Sequence, residues 1–221
     1  MKRPFALLGL TLALAACSST SDRREPDRPP VQASTISQNY EVRQCFAALG
    51  AAGNSFTPLP DRYTGQGCSM LGTVQLNAIA TDLSSAVATN LGPVTCPVSN
   101  AFAEWARYGV DRAARVLLGS PLRSIETYGS YACRNVARTA RRSAHSTAEA
   151  IDVAGFVLED GRRIAVKEDW TGGSAQEREF LRVVHQSACR RFDTVLSPDY
   201  NADHEDHLHL EGVIGQRSFC R

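Results

Sequence analysis

The sequence predicts a mixed α+β domain with a largely antiparallel sheet and flanking helices. Residues 150–157 are rich in apolar and β-branched side chains, Asp160-Gly161 follows as a hairpin turn signal, and residues 162–166 return as a partner strand. Ser174-x-x-Glu177 is a capping box, opening a helix whose Phe180, Leu181, Val184 and Ala188 share one face and which ends near Arg191. Two further short runs, residues 193–196 and 207–213, read as strands on either side of the turn-rich Ser197-Pro-Asp-Tyr-Asn201. Runs of strand and helix in this mixture fit an α+β layer arrangement better than alternating βαβ units.

Taken in order, the chain opens with Lys2-Arg3 and an apolar run over residues 5–16, too short to span a bilayer but shaped like a secretory signal. Leu14-Ala15-Ala16-Cys17 resembles the bacterial lipoprotein cleavage box, so Cys17 is expected to carry the lipid anchor and residues 1–16 to be removed. Residues 17–39 begin with Ser, Thr, Asp, Arg, Glu and Pro and carry few apolar side chains, a composition expected of an extended tether. Residues 40–221 are expected to form one domain, since 221 residues with 43% hydrophobic and 21% charged content suit a single core. Residues 97–118 read as a helix capped by Asn100, with Phe102, Trp105 and Ala106 at helical spacing and Gly119-Ser-Pro121 ending it. Residues 123–128 alternate as a strand.

Losing Lys2 and Arg3 with the leader takes the formal net charge from +1 to −1. A near-neutral chain without a basic stripe argues against a nucleic-acid partner. Setting Cys17 aside, six of the seven cysteines remain: Cys45, Cys68, Cys96, Cys133, Cys189 and Cys220. Their even number, export and lack of a Cys-x-x-Cys pair predict three disulfides. Six cysteines allow fifteen pairings; the expected set is Cys45 to Cys68, Cys96 to Cys133 and Cys189 to Cys220. The chain contains no P-loop, dinucleotide fingerprint or Gly-x-Ser-x-Gly elbow.

Four of the five histidines fall in two stretches, Ser143-Ala-His145-Ser-Thr-Ala-Glu-Ala-Ile-Asp152 and Asp203-His204-Glu205-Asp206-His207-Leu208-His209-Leu210-Glu211. Strand alternation puts His207, His209 and Glu211 on one face and turns Leu208 and Leu210 to the other. Two imidazoles then converge with His145 and Asp152, a donor set that suits a divalent metal such as zinc with one position left open. His185, on the apolar side of its helix, reads as a packing residue.

These motifs resemble the metal site of the zinc peptidases that include D-Ala-D-Ala carboxypeptidases and penicillin-insensitive murein endopeptidase, and so imply a hedgehog/D-Ala-D-Ala-peptidase-like fold. Over roughly residues 45–220 the chain is more similar to the bacterial extensin-like C-terminal domain family. Gly129-Ser-Tyr-Ala-Cys133-Arg134, residues 143–156, Asp169-Trp170, Phe180-Leu-Arg182 and residues 189–211 carry that similarity. The resemblance implies that His145, Asp152 and His209 hold zinc and that His207 is the catalytic base. Asp206 is the rival base, ranked second because alternation turns it from the shared face. Arg134 is implied as the oxyanion donor, with a surface ion-pair role as the alternative. Ser143 and His204 are expected to support the ligands, His204 by contacting them or the substrate. Ala148 stands where the peptidases usually carry glycine, which predicts a different turn after His145.

The implied function is a zinc-dependent hydrolase that cleaves an amide bond in peptidoglycan peptides. It would be a periplasmic monomer, lipid-anchored to the outer membrane of a Gram-negative bacterium and touching the membrane only through that anchor. The alternative is a noncatalytic cell-wall lipoprotein with a zinc site; metal capture fits less well, because few mixed ligands suit one ion held for chemistry.

Overall fold

The structure, a computed structural model, describes residues 35–221. Cys17, the leader and most of the expected tether lie outside those residues. Thr35 and Ile36 already pair with the domain, through a bridge from Ile36 to Pro60 and a hydrogen bond from the Asp61 amide to the Thr35 carbonyl.

Helix α1 (Tyr40–Ala51) is capped by Asn39, whose side chain accepts from the amides of Glu41 and Val42. Six strands follow: β1 (Ser55–Pro58), β2 (Arg62–Gly65), β3 (Cys68–Met70), β4 (Thr73–Ala80), β5 (Ser85–Thr89) and β6 (Val94–Thr95). Helix α2 (Cys96–Glu104) continues through π-helical turns at Trp105–Asp111 and Ala114–Leu118, and Gly119, at φ 71°, closes it in the left-handed region. The helix starts earlier than the Asn100 cap predicts. Cys96 is drawn into its first turn by a disulfide to Cys45 on α1 and by donating its amide to the Gly72 carbonyl, so Thr95 takes the cap position.

Strand β7 (Leu122–Gly129) leads to β8 (Ala150–Leu158), whose nine residues are all buried. The turn after β8 takes in Glu159 as well as Asp160-Gly161, with Gly161 at φ 91°, before β9 (Arg163–Ala165) returns. Helix α3 (Val166–Gly172) and helix α4 (Ala175–Ala188) follow, the latter opened by the reciprocal Ser174/Glu177 capping box. The chain ends with β10 (Thr194–Leu196), β11 (Leu208–Glu211) and β12 (Phe219–Cys220).

Ten strands form one sheet in the order β1-β4-β5-β7-β8-β11-β10-β12, with β6 beside β4 and β9 beside β8. All pairings are antiparallel except β5 with β7 and β10 with β12. Strand β8 organises it. One edge pairs with β7 from Asp152 to Leu158, while the other pairs with β11 over its first half and with β9 over its second. Trp105 lies at the centre of the core, 5.6 Å from Phe102, 5.9 Å from Phe156 and 6.5 Å from Phe192 by ring centroids, and its indole N–H donates to the Val184 carbonyl. That bond satisfies the one polar atom that burying this side chain would strand.

Three disulfides form, but two of the expected pairings are exchanged: Cys45 bonds Cys96, Cys68 bonds Cys133, and only Cys189 to Cys220 is as expected. Proximity in sequence is a poor guide because β4 to β6 fold back between these cysteines. They place α1 on α2 and the β2–β3 hairpin on the loop after β7.

Candidate metal centre

His145 stands on a short 3₁₀ turn (Ala144–Thr147) that the Ser143 hydroxyl caps by accepting from the His145 amide at 3.3 Å. Ser143 therefore shapes the turn rather than acting as a nucleophile. Ala148 closes it at φ 58° and ψ 30°, the left-handed conformation that glycine takes freely and alanine takes at a cost of roughly 1 kcal/mol. The turn is thus left-handed at Ala148 without glycine. The Ala148 side chain is fully buried and its carbonyl accepts from the Thr95 amide, contacts that hold the strained residue in place.

The segment after β7 grips His145 from both sides. Its Nδ1–H donates to the Ser130 carbonyl at 2.8 Å, and its own carbonyl accepts from the Ala132 amide at 3.0 Å. A carbonyl can only accept, so Nδ1 carries a proton and, in the neutral ring, Nε2 presents a lone pair. That lone pair faces Asp152 Oδ2 at 3.1 Å, with no hydrogen-bond partner in a fully buried position. A ring nitrogen and a carboxylate oxygen this close need a proton on the imidazole or a metal ion between them.

Asp152 and His209 are direct cross-strand partners on β8 and β11. His209 Nδ1 donates to Asp152 Oδ1 at 2.8 Å and its Nε2 to Glu211 Oε2 at 3.0 Å. Burial favours neutral His209, but the two carboxylates outweigh it and push its pKa up to about 9. Burial likewise opposes charge on Asp152, yet the adjacent His145 ring and the hydrogen bond from His209 hold it well below the usual carboxylate range. Glu211 is lowered too, first by its bond to His209.

Ligand atoms of His145, Asp152 and His209 all lie within 4.8 Å of one another. Tetrahedral ligands about 2.0 to 2.1 Å from one ion sit roughly 3.3 Å apart, so the set closes on a zinc-sized cation with small shifts. Its outer partners fit as well: ligating histidines characteristically donate their second N–H to a carbonyl or carboxylate, as His145 does to Ser130 and His209 can to Glu211. Glu211 was legible as a member of the strand face; Ser130, acting through its backbone, had no side-chain signal.

His207 precedes β11, which begins at Leu208, so alternation does not govern Asp206 as the sequence reading supposed. The Asp206 carboxylate turns back to accept from His207 Nδ1 at 2.8 Å, leaving His207 Nε2 3.5 Å from Asp152 Oδ1. His204 donates from Nδ1 to Asn201 Oδ1, and its ring lies 5.2 Å from that of His207 and 5.9 Å from that of His209. Burial and the neighbouring histidines push its pKa down to about 4. Arg134 is exposed on the loop, and its guanidinium has no hydrogen bond or ion pair among the described residues. His185 packs edge-on against Trp170, beside Cys189 and Cys220. Those three could group around a metal, but the cysteines are already bonded to each other.

Fold and site together define an α+β domain that carries a buried His-Asp-His centre beside an Asp-oriented histidine. A family model described as the extensin-like protein C-terminus matches residues 43–221, and the chain belongs to that family. Residues 1–18 match the prokaryotic membrane lipoprotein lipid attachment site, which makes this a lipid-anchored envelope protein. The chain matches no curated protein and no solved structure.

Proposed function

We propose that the domain is a zinc-dependent hydrolase of the periplasm, anchored to the outer membrane and cleaving an amide bond in peptidoglycan peptides. The observation that carries this reading is the convergence of three buried groups, His145, Asp152 and His209, with ligand atoms all within 4.8 Å of one another. Two imidazole nitrogens and one carboxylate suit zinc among the divalent metals, and three protein ligands leave a fourth position for water or substrate. Bound there, zinc would lower the pKa of water to about 7 and polarise the scissile carbonyl.

The chain's own groups supply proton transfer. His207 keeps its Nδ1–H on Asp206, so its Nε2 is free to take a proton at the edge of the centre and return it to the leaving amine. Asp206 fixes that tautomer and ring orientation, which reconciles the two candidate bases: histidine transfers the proton and the acid positions it. Glu211 and the Ser130 carbonyl orient His209 and His145. Arg134 remains a candidate oxyanion donor only if substrate draws its exposed side chain inward.

Purified murein incubated with the lipid-bearing chain, with and without chelator, and read by mass spectrometry tests the proposal. New peptide ends that vanish with chelator and return with zinc are expected. Stoichiometric zinc without any cleavage would leave the noncatalytic reading in its place.

A further inference from the structure

A row of aromatic rings runs from the candidate centre across the surface. Tyr128 on β7 meets His207 edge-on at 6.0 Å between centroids; His207 lies 5.2 Å from His204, His204 5.6 Å from Tyr200, and Tyr200 6.0 Å from Phe219 on β12. Tyr128, Tyr200 and Phe219 are 56%, 43% and 46% exposed. Isolated surface aromatics need no explanation, but exposed rings lined up beside a chemically equipped centre mark a binding surface. The row comes from three separate segments, β7, the turns between β10 and β11, and β12, so local sequence alone does not account for it.

Hydrogen-bonding groups edge the row. Asn201 uses its side-chain oxygen to accept from Asp203 N and His204 Nδ1, and its amide N–H groups have no partner among the described residues. Asp206 spends one carboxylate oxygen on His207 and keeps the other. Asp203 pairs with Arg138. Asp203, Glu205 and Asp206 lie in one turn against Arg138 and Lys167, an acid excess that disfavours a phosphate-bearing polymer.

We infer that this row is a subsite for a polysaccharide strand of pyranose rings. A pyranose offers an apolar C–H face and a rim of hydroxyls. The exposed tyrosine and phenylalanine rings match the first, and the free Asn201 amide and Asp206 oxygen match the second. The subsite deepens the hydrolase reading, since a glycan held along the row would carry its attached peptide to His207 and the centre; sugar binding itself does not depend on turnover.

The test uses glycan strands stripped of their peptides, titrated calorimetrically against the zinc-loaded, lipid-bearing chain in detergent. The parent should bind, and a Tyr200→Ala/Phe219→Ala variant should bind at least about tenfold more weakly. Its zinc content and melting temperature should match the parent's, and Tyr200→Trp in the Phe219-containing chain should keep the parental affinity. If the parent ignores peptide-free strands, or the double variant binds them as the parent does, the subsite is wrong. Strand binding without any murein cleavage would support the subsite and sink the hydrolase; cleavage of murein without strand binding would do the reverse.

Discussion

His207 and His209 lie two residues apart, yet their surroundings differ. His209 is clamped between Asp152 and Glu211, whereas His207 is held by Asp206 with one nitrogen left open. Replacing His209 with alanine should lose metal and activity together. His207→Ala should keep zinc, measured by inductively coupled plasma mass spectrometry, while turnover falls by about 10² to 10⁴. Loss of zinc in the His207 variant would exchange the two roles. Glu211→Gln should weaken zinc binding by roughly 10- to 100-fold without abolishing it, the usual effect of altering a ligand's hydrogen-bond partner. At this scale the sequence was informative about side chains, because strand period and motif spacing set His145 and Asp152 beside the two strand histidines, and the resemblance singled out His209. It misplaced Asp206, whose position depends on β11 starting at Leu208 rather than His207.

Helix α4 shows how far local chemistry can specify an element. Its capping box was legible from Ser174 and Glu177 and forms with both hydrogen bonds in place. Ser174→Ala should cost about 1 kcal/mol in chemical denaturation. Hydrogen bonds from the Ser174 backbone and then its side chain hold Glu177 below its usual range. The stabilisation from Glu177 is therefore present above its unfolded pKa of roughly 4.3 and lost as pH falls through the lower folded value. The acid limb of the stability profile should be flatter in the serine variant. Glycine at 155 is required for another reason: a Cβ there would sit 2.8 Å from the Ile164 carbonyl oxygen and 3.2 Å from Glu126 Oε2, between β9 and β7. Gly155→Ala should lower the melting temperature, by an amount equivalent to about 1 to 3 kcal/mol. The elements that escaped the sequence reading are α1, β1 to β6, α3 and β12. The strands are mostly short and their turns are spread among Gly, Thr and Ser; β1, β5 and β6 become strands by pairing with β4, and β2 and β3 by pairing with each other. Tertiary context, rather than local preference, makes them.

At the scale of the whole molecule, the sheet joins distant parts of the chain at one point, with β8 as the shared strand and the three disulfides tying its surroundings. Cysteine number and compartment were readable in advance; partner choice depended on the fold-back of β4 to β6. Thiol titration of the denatured, unreduced protein should find no free thiol. The bridges should also differ in effect. Removing Cys45–Cys96 should reduce stability by roughly 4 kcal/mol on the chain-entropy estimate, while leaving the zinc affinity of the folded fraction intact. Cys68–Cys133 anchors the segment whose Ser130 and Ala132 hold His145, so its removal should weaken zinc binding as well. Thermodynamic reciprocity then ties metal occupancy to thiol chemistry. Whatever factor the Cys68–Cys133 bridge adds to zinc affinity, bound zinc must add to the bridge's resistance to reduction, with each tenfold lowering its potential by about 30 mV. A protein stripped of metal by a competing chelator would thus become easier to reduce, and one reduced there would let go of its metal more readily.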